Sequence, residues 1–419
     1  MKDSLRTARR LTNLLLAAQS LGSAGFMANG TVASIVGAQL SGVTALGGVP
    51  GANYQVWTAI GAFGWGMSMD RLGRRGGLAL GLLVGVVGAS LAATAIAVGS
   101  FPLFLAGGAL MGMANAALQL ARFSAAEVHP PAERGRAISR VVIGGTAGAL
   151  LGPLMIGPAG QLARSMGFDE LAGAYVVGFV LFAAASAMIF RWLRPDPRDL
   201  GREIARLYPP TAIDLKATRS IRDIFRQPAV KVAVVSMVAG QSVMSMLMSI
   251  TALHLKMLNQ PLSEISMVVS AHFLGMYALS IQAGRMADRW GRGPTILVGA
   301  GMLIAASVMA PLSSDALPMA IALFLVGLGW NLCYVGGSSL LADQLSPAER
   351  SRTQGFNDLL VGTAGAIGSL ASGVVFATLG YGLMGDLGVL VALVPLILTI
   401  RWHTANRRLE EKVASGVGK

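Results

Sequence analysis

The stretch Gly66-Met67-Ser68-Met69-Asp70-Arg71-Leu72-Gly73-Arg74 returns later in the chain as Gly284-Arg285-Met286-Ala287-Asp288-Arg289-Trp290-Gly291-Arg292, an offset of 218 residues. A second motif, Pro131-Ala132-Glu133-Arg134-Gly135-Arg136, returns as Pro347-Ala348-Glu349-Arg350-Ser351-Arg352 at an offset of 216. At that same offset Asn115 meets Asn331 and Glu127 meets Asp343. Matches in register at this length make the chain an internal duplication.

What surrounds these motifs sets the solvent. Of 419 residues 54% are hydrophobic and only 13% charged, and the mean hydropathy is +0.63. A soluble domain carries about 25% charged residues, so lipid is the medium. Gly is abundant, with 54 residues, as close helix approach in a bilayer requires. Apolar stretches at 11–38, 53–69, 78–99, 102–124, 137–158, 172–193, 229–256, 263–286, 294–311, 316–341, 356–378 and 386–402 can each cross a hydrocarbon core of about 30 Å. The expected fold is an all-α polytopic membrane protein with twelve transmembrane helices in two pseudo-symmetric six-helix bundles, 1–193 and 229–419, joined by a charged linker at 194–228.

The net charge of +13 follows the topology and does not point to nucleic acid as a partner. With the N-terminus inside, 31 of the 33 Lys and Arg residues fall in cytoplasmic segments or helix ends, and only Arg164 and Lys256 fall outside. Both termini are therefore expected in the cytoplasm. Cys333 is the single cysteine, so no disulfide can form within the chain. A nucleotide loop, a nucleophile–base pair and a catalytic carboxylate pair are all missing from the sequence, which argues against an enzyme and against ATP drive.

The Gly-x-x-x-Asp-Arg-x-Gly-Arg pattern lies between helices 2 and 3 and again between helices 8 and 9. Asp70 at a helix end needs a partner, and Arg71, Arg74 and Glu127 offer a charge network; Asp288, Arg289, Arg292 and Asp343 repeat it. The pattern resembles the signature loop of the major facilitator superfamily, over the whole chain. In that family the network is a gating latch on the cytoplasmic side, and the resemblance implies a secondary transporter working by alternating access. Helix 5, with Gly144, Gly148, Gly152 and Gly157, reads as a smooth packing face.

Alternating access places a substrate near the bilayer midplane. Mid-helix acids and bases are lacking; Asp358, near the cytoplasmic end of helix 11, is the nearest candidate for coupling. Helices 7 and 8 are different. Met244 and Met248 lie four apart, as do His272 and Met276, and an i, i+4 pair shares one helix face. Thioether suits Cu(I) and not Zn, Mg or Ca. With 21 methionines in the chain, core packing competes as an explanation of the Met pair. His272 is the mid-membrane histidine, where an ionisable side chain is a functional hypothesis. Cys333 and Met237 are further candidate ligands, with burial as small or flexible hydrophobes the competing reading. At an offset of 216 the ligand positions fall on Ala28, Val32, Val56 and Ile60, which places selectivity in the second half alone.

Met-x-x-x-Met on helix 7 followed by His-x-x-x-Met on helix 8 resembles the CcoA-like copper importers. That resemblance implies Met244, Met248, His272 and Met276 as copper ligands. It also implies import into the bacterial cytoplasm for haem–copper oxidase assembly, an inner-membrane location, and a cytoplasmic copper acceptor. Copper is then cargo, and no cofactor is expected. The resemblance departs at cysteine, where those members carry several and this chain has Cys333 alone. Importers of riboflavin share the fold, so riboflavin uptake or export of amphiphilic solutes is the alternative.

Overall fold

The computed structural model describes residues 2–130, 133–207, 219–312 and 315–414; the middle of the expected linker, 208–218, lies outside them, as do Pro131 and Ala132. The elements are helical: α1 (Lys2–Ser41), α2 (Val49–Val98), α3 (Phe101–Gln119), α4 (Ala121–Glu127), α5 (Arg134–Leu154), α6 (Ile156–Ser165), α7 (Ala172–Trp192), α8 (Pro197–Leu207), α9 (Ile221–Arg226), α10 (Pro228–Met257), α11 (Leu262–Tyr277), α12 (Ser280–Arg289), α13 (Arg292–Met309), α14 (Ala316–Asp343) and α15 (Pro347–Ala414).

Nine stretches among the described residues are long and apolar enough to cross a membrane. Two of them, Thr44–Val98 and Arg352–Ala405, have 55 and 54 residues, over twice the roughly 20 that one crossing needs. Each contains a glycine outside helical geometry, Gly73 at φ 79° in α2 and Gly380 at φ 78° in α15, so each makes two passes. α1 has 40 residues, but Thr12, Asn13, Gln19, Ser20, Ser23 and Asn29 dilute its hydropathy. With α1 and the two double crossings, the passes among the described residues number twelve.

Contacts group the chain into two compact units, Met1–Thr211 with Ile250–Ser270, and Ala212–Ser249 with Ala271–Lys419. In the first, the glycine face of α5 lies on the backbone of α1. A Cβ on Gly148 would stand 2.8 Å from Ala24 N, and one on Gly152 would stand 3.1 Å from Ala24 Cα. Lipid tails are as apolar as leucine, so close backbone contact, not expulsion of water, holds such helices together. Phe26 packs on Phe182, ring centroids 4.5 Å apart. Arg164 and Lys256, the two cations outside the basic segments, both pair with Glu170, Lys256 at 2.6 Å.

In the second unit α14 is the hub. Gly299 of α13 packs against Cys333, whose backbone N lies 2.9 Å from where a Cβ would stand. Gly337 brings α14 onto Ala233 of α10, 2.8 Å from its carbonyl oxygen by the same measure. Gly275 and Gly327 let α11 and α14 touch backbone to backbone.

Candidate functional site

The signature loop turns at Gly73, whose positive φ favours glycine. Arg74 then reaches Glu127 at 2.6 Å and Asp70 at 3.3 Å. The repeat does the same: Gly291 has φ 96°, and Arg292 reaches Asp288 at 2.7 Å and Asp343 at 3.0 Å. Arg71 and Arg289 are exposed and lie outside these ion pairs. Asp358 is exposed on α15.

The two ends of the linker are bound into these motifs, which sequence reading missed. Asp196 accepts from the backbone N–H of Arg74 at 3.0 Å, of Arg75 at 3.1 Å and of Arg198 at 2.9 Å. One carboxylate thus caps the helix restarting after Gly73 and the start of α8. Arg198 Nη1 donates to the carbonyls of Asp70 and Arg71 on the other side of the turn. At the far end Glu349, 2% exposed, accepts from Arg219 N, Nε and Nη2 and from Ser346 N. The Arg219 guanidinium, helped by those N–H groups, holds the Glu349 carboxyl well below the usual carboxylate range.

All four candidate ligands lie in the second unit. His272 is fully buried against α14. Its Nδ1 stands 3.0 Å from the Leu323 carbonyl oxygen. A carbonyl only accepts, so Nδ1 carries the proton and Nε2 keeps its lone pair. That Nε2 is buried with no hydrogen-bond partner. Met276, one turn on, is also buried, and its carbonyl accepts from Asn331 Nδ2, which bonds Ser280 Oγ at 2.7 Å as well. Asn331 therefore ties α14 to α11 and α12.

Met244 and Met248 are half-buried on α10. They share a stripe with Gln241 and Ser245, spaced i, i+3, i+4, i+7. Gln241 Nε2 donates to Ser245 Oγ at 3.1 Å, and Trp330 Nε1 donates to Gln241 Oε1 at 2.9 Å. Trp330 stacks on Tyr334 with centroids 5.1 Å apart and planes 19° from parallel. In the first unit Gln19 Nε2 donates to Ser23 Oγ at 3.2 Å, the same bond in the same Gln-Ser-x-x-Ser sequence at an offset of 222. In helices 1 and 7 the duplication thus runs at 222 and not 216, so Met244 and Met248 correspond to Gly22 and Phe26, not to Ala28 and Val32. The ligands remain without counterparts.

Cys333 faces α13, its Sγ 3.9 Å from the Ile296 carbonyl oxygen and fully buried. Met237 is 1% exposed in a core with Val230, Val234 and Leu341, and its Sδ accepts from Asn357 Nδ2 at 3.7 Å. Both sit as packing residues. Among the described residues no three His, Cys, Asp or Glu side chains gather where they could hold a metal, so a metal held here has to draw on thioether sulfur.

The family model for the Major Facilitator Superfamily matches residues 13–260 and 244–417. The chain belongs to the major facilitator superfamily. It is therefore a multi-pass membrane transporter, driven as a secondary transporter, and not an enzyme. This transporter is similar to the uncharacterised MFS-type transporter YddS of Bacillus subtilis (strain 168), 30% identical over 411 residues that cover 96% of this chain and 92% of YddS. It is also similar to the riboflavin transporter RfnT of Brucella anthropi, 27% identical over 398 residues, 94% of this chain and 96% of RfnT. Among solved structures, a D-xylose–proton symporter superposes with a TM-score of 0.70 at 16% identity, covering 93% of this chain and 96% of its own. The nucleoside transporter NupG gives 0.69 at 14% identity, covering 94% and 98%. At such identities these two likenesses speak to the fold.

Proposed function

We propose that this transporter imports copper, as Cu(I), across a bacterial inner membrane, binding it through Met244, Met248, His272 and Met276. The observation that carries the reading is the His272 ring. Its Nδ1–H is spent on the Leu323 carbonyl and its Nε2 lone pair is buried without a partner. Metal-ligating histidines are held this way, the second ring nitrogen donating to a carbonyl and fixing the tautomer. Met276 is one turn along on the same face, and the Met244–Met248 stripe supplies two more thioethers. Neutral thioether and imidazole ligands release an ion that thiolates would retain. Transport opens this site to each side in turn, with the Arg74 and Arg292 networks as latches, Asp358 as the coupling group and a copper acceptor on the cytoplasmic side.

The test is radiolabelled copper uptake in cells expressing the wild type, Met244→Leu, Met248→Leu or His272→Ala. Leucine keeps the volume and removes the sulfur. Uptake falls at least tenfold in each on this reading; wild-type uptake in all three would end it.

A second reading has its own support, riboflavin uptake. The Trp330–Tyr334 stack and the Gln241 amide suit a planar heterocycle with hydrogen-bonding edges, and RfnT, a similar protein, is named for riboflavin. Riboflavin-dependent growth that survives His272→Ala but not Trp330→Ala selects this reading over copper.

A further inference from the structure

A cleft of about 570 Å³ in the first unit is lined by Arg74, Arg134, Arg198 and Arg202 with Asp70 and Glu127. We propose that it binds a phosphate-bearing anion, supplied by the headgroup of an acidic phospholipid or as free phosphate. The positive charge is in excess. Arg74 is committed to Glu127 and Asp70, which leaves three arginines facing no further carboxylate of the lining. Arg202 is exposed and has no ion-pair partner among the described residues. Arg134 makes one long bond, from Nε to the His129 carbonyl at 3.4 Å. Arg198 holds the Asp70 and Arg71 carbonyls and lies 3.5 Å from Asp199.

The arginines are placed, not merely clustered. α8 seats Leu200 and Ile204 in the bundle, 6% and 7% exposed. Arg198 and Arg202 are spaced i, i+4 and so share a face of the helix. Gly201 lets α8 close on the end of α4, a Cβ there standing 3.2 Å from Glu127 Cβ. The cleft lies where the α2 and α5 crossings end, so it opens at the membrane surface on the arginine-rich side. Phe123, 48% exposed, adds an apolar wall beside the charges. Guanidinium forks match the oxygens of a phosphate, and basic pockets between helices on this side of a membrane take acidic headgroups.

The test is native mass spectrometry of the purified full-length protein titrated with phosphatidylglycerol, phosphatidylcholine or inorganic phosphate. Phosphatidylglycerol is expected to bind in preference to phosphatidylcholine. Each of Arg134→Ala and Arg202→Ala lowers phosphatidylglycerol affinity about fivefold, and Arg401→Ala, outside the cleft, leaves it unchanged. Competition by inorganic phosphate identifies free phosphate as an occupant; its failure to compete assigns the site to lipid. Phosphatidylcholine binding as tightly as phosphatidylglycerol would overturn the proposal. So would wild-type affinity in Arg202→Ala, an exposed position that cannot unfold the bundle, or an equal loss in Arg401→Ala.

Discussion

Asp196 caps the helix that restarts at Arg74, accepting its backbone N–H at 3.0 Å and that of Arg75 at 3.1 Å. A lost cap costs about 0.5–2 kcal/mol, and this carboxylate serves two helix starts. Asp196→Ala therefore lowers the thermal midpoint of the detergent-solubilised protein, and Asp196→Asn, which keeps one acceptor oxygen, lowers it less. Unchanged midpoints in both variants would show that the linker is not fastened to the signature loop.

Gly148 admits no side chain. A Cβ there would stand 2.8 Å from Ala24 N and 2.9 Å from Ser23 Cβ, and a backbone cannot retreat as a flexible side chain can. Gly148→Val abolishes folded protein, read as loss of the monodisperse peak on fluorescence-detected size exclusion. Gly135→Val, at a glycine with nothing within 4 Å, leaves the peak in place.

Glu349 gives the protein an acid limb. Its carboxyl is held low by Arg219, so the stabilisation is fully present above the unfolded value of about 4.3 and is lost as pH falls through the lower folded value. The thermal midpoint of the wild type drops below about pH 4. Glu349→Gln has a lower midpoint at neutral pH and a flatter acid limb. Superimposable curves for the two proteins from pH 3 to 7 would contradict the pairing.

The Trp330–Gln241 bond joins α14 to α10. A double-mutant cycle of Trp330→Phe and Gln241→Leu is expected to give a coupling of about 0.6–1.5 kcal/mol, measured by thermal or denaturant unfolding. Strict additivity would mean that the bond contributes nothing to holding the two helices.

Hydropathy is a local property, and the twelve crossings and the loop repeat could be read from the chain because each depends on residues close together in sequence. Asp196 and Arg219 could not. Their partners lie 122 and 130 residues away, and a charged linker looks alike whether it is free or fastened. The Gln-Ser-x-x-Ser repeat at 19 and 241 is local too, but it runs at an offset of 222 where the loops run at 216 to 218, since the two halves differ in length between their motifs. For the candidate ligands, i, i+4 spacing shows that each pair shares a face but not which face. Lipid and a neighbouring helix are equally apolar, and it is the close approach of α11 and α14, at Gly275 against Phe324 and Leu328 and at Gly327 against His272 and Met276, that turns His272 and Met276 onto α14. Cys333 and Met237 show the converse: soft side chains at ligand depth that are spent on packing.

The most direct measurement of the central claim is Cu(I) binding to purified protein, followed by X-ray absorption at the copper edge, for the wild type and for Met244→Leu/Met248→Leu. The account predicts a wild-type site with mixed sulfur and imidazole nitrogen scattering at about one copper per chain, and in the double variant, which keeps only the Met276 sulfur, weaker sulfur scattering and lower affinity. A wild-type protein that binds no copper, or a double variant with an unchanged spectrum, would contradict it.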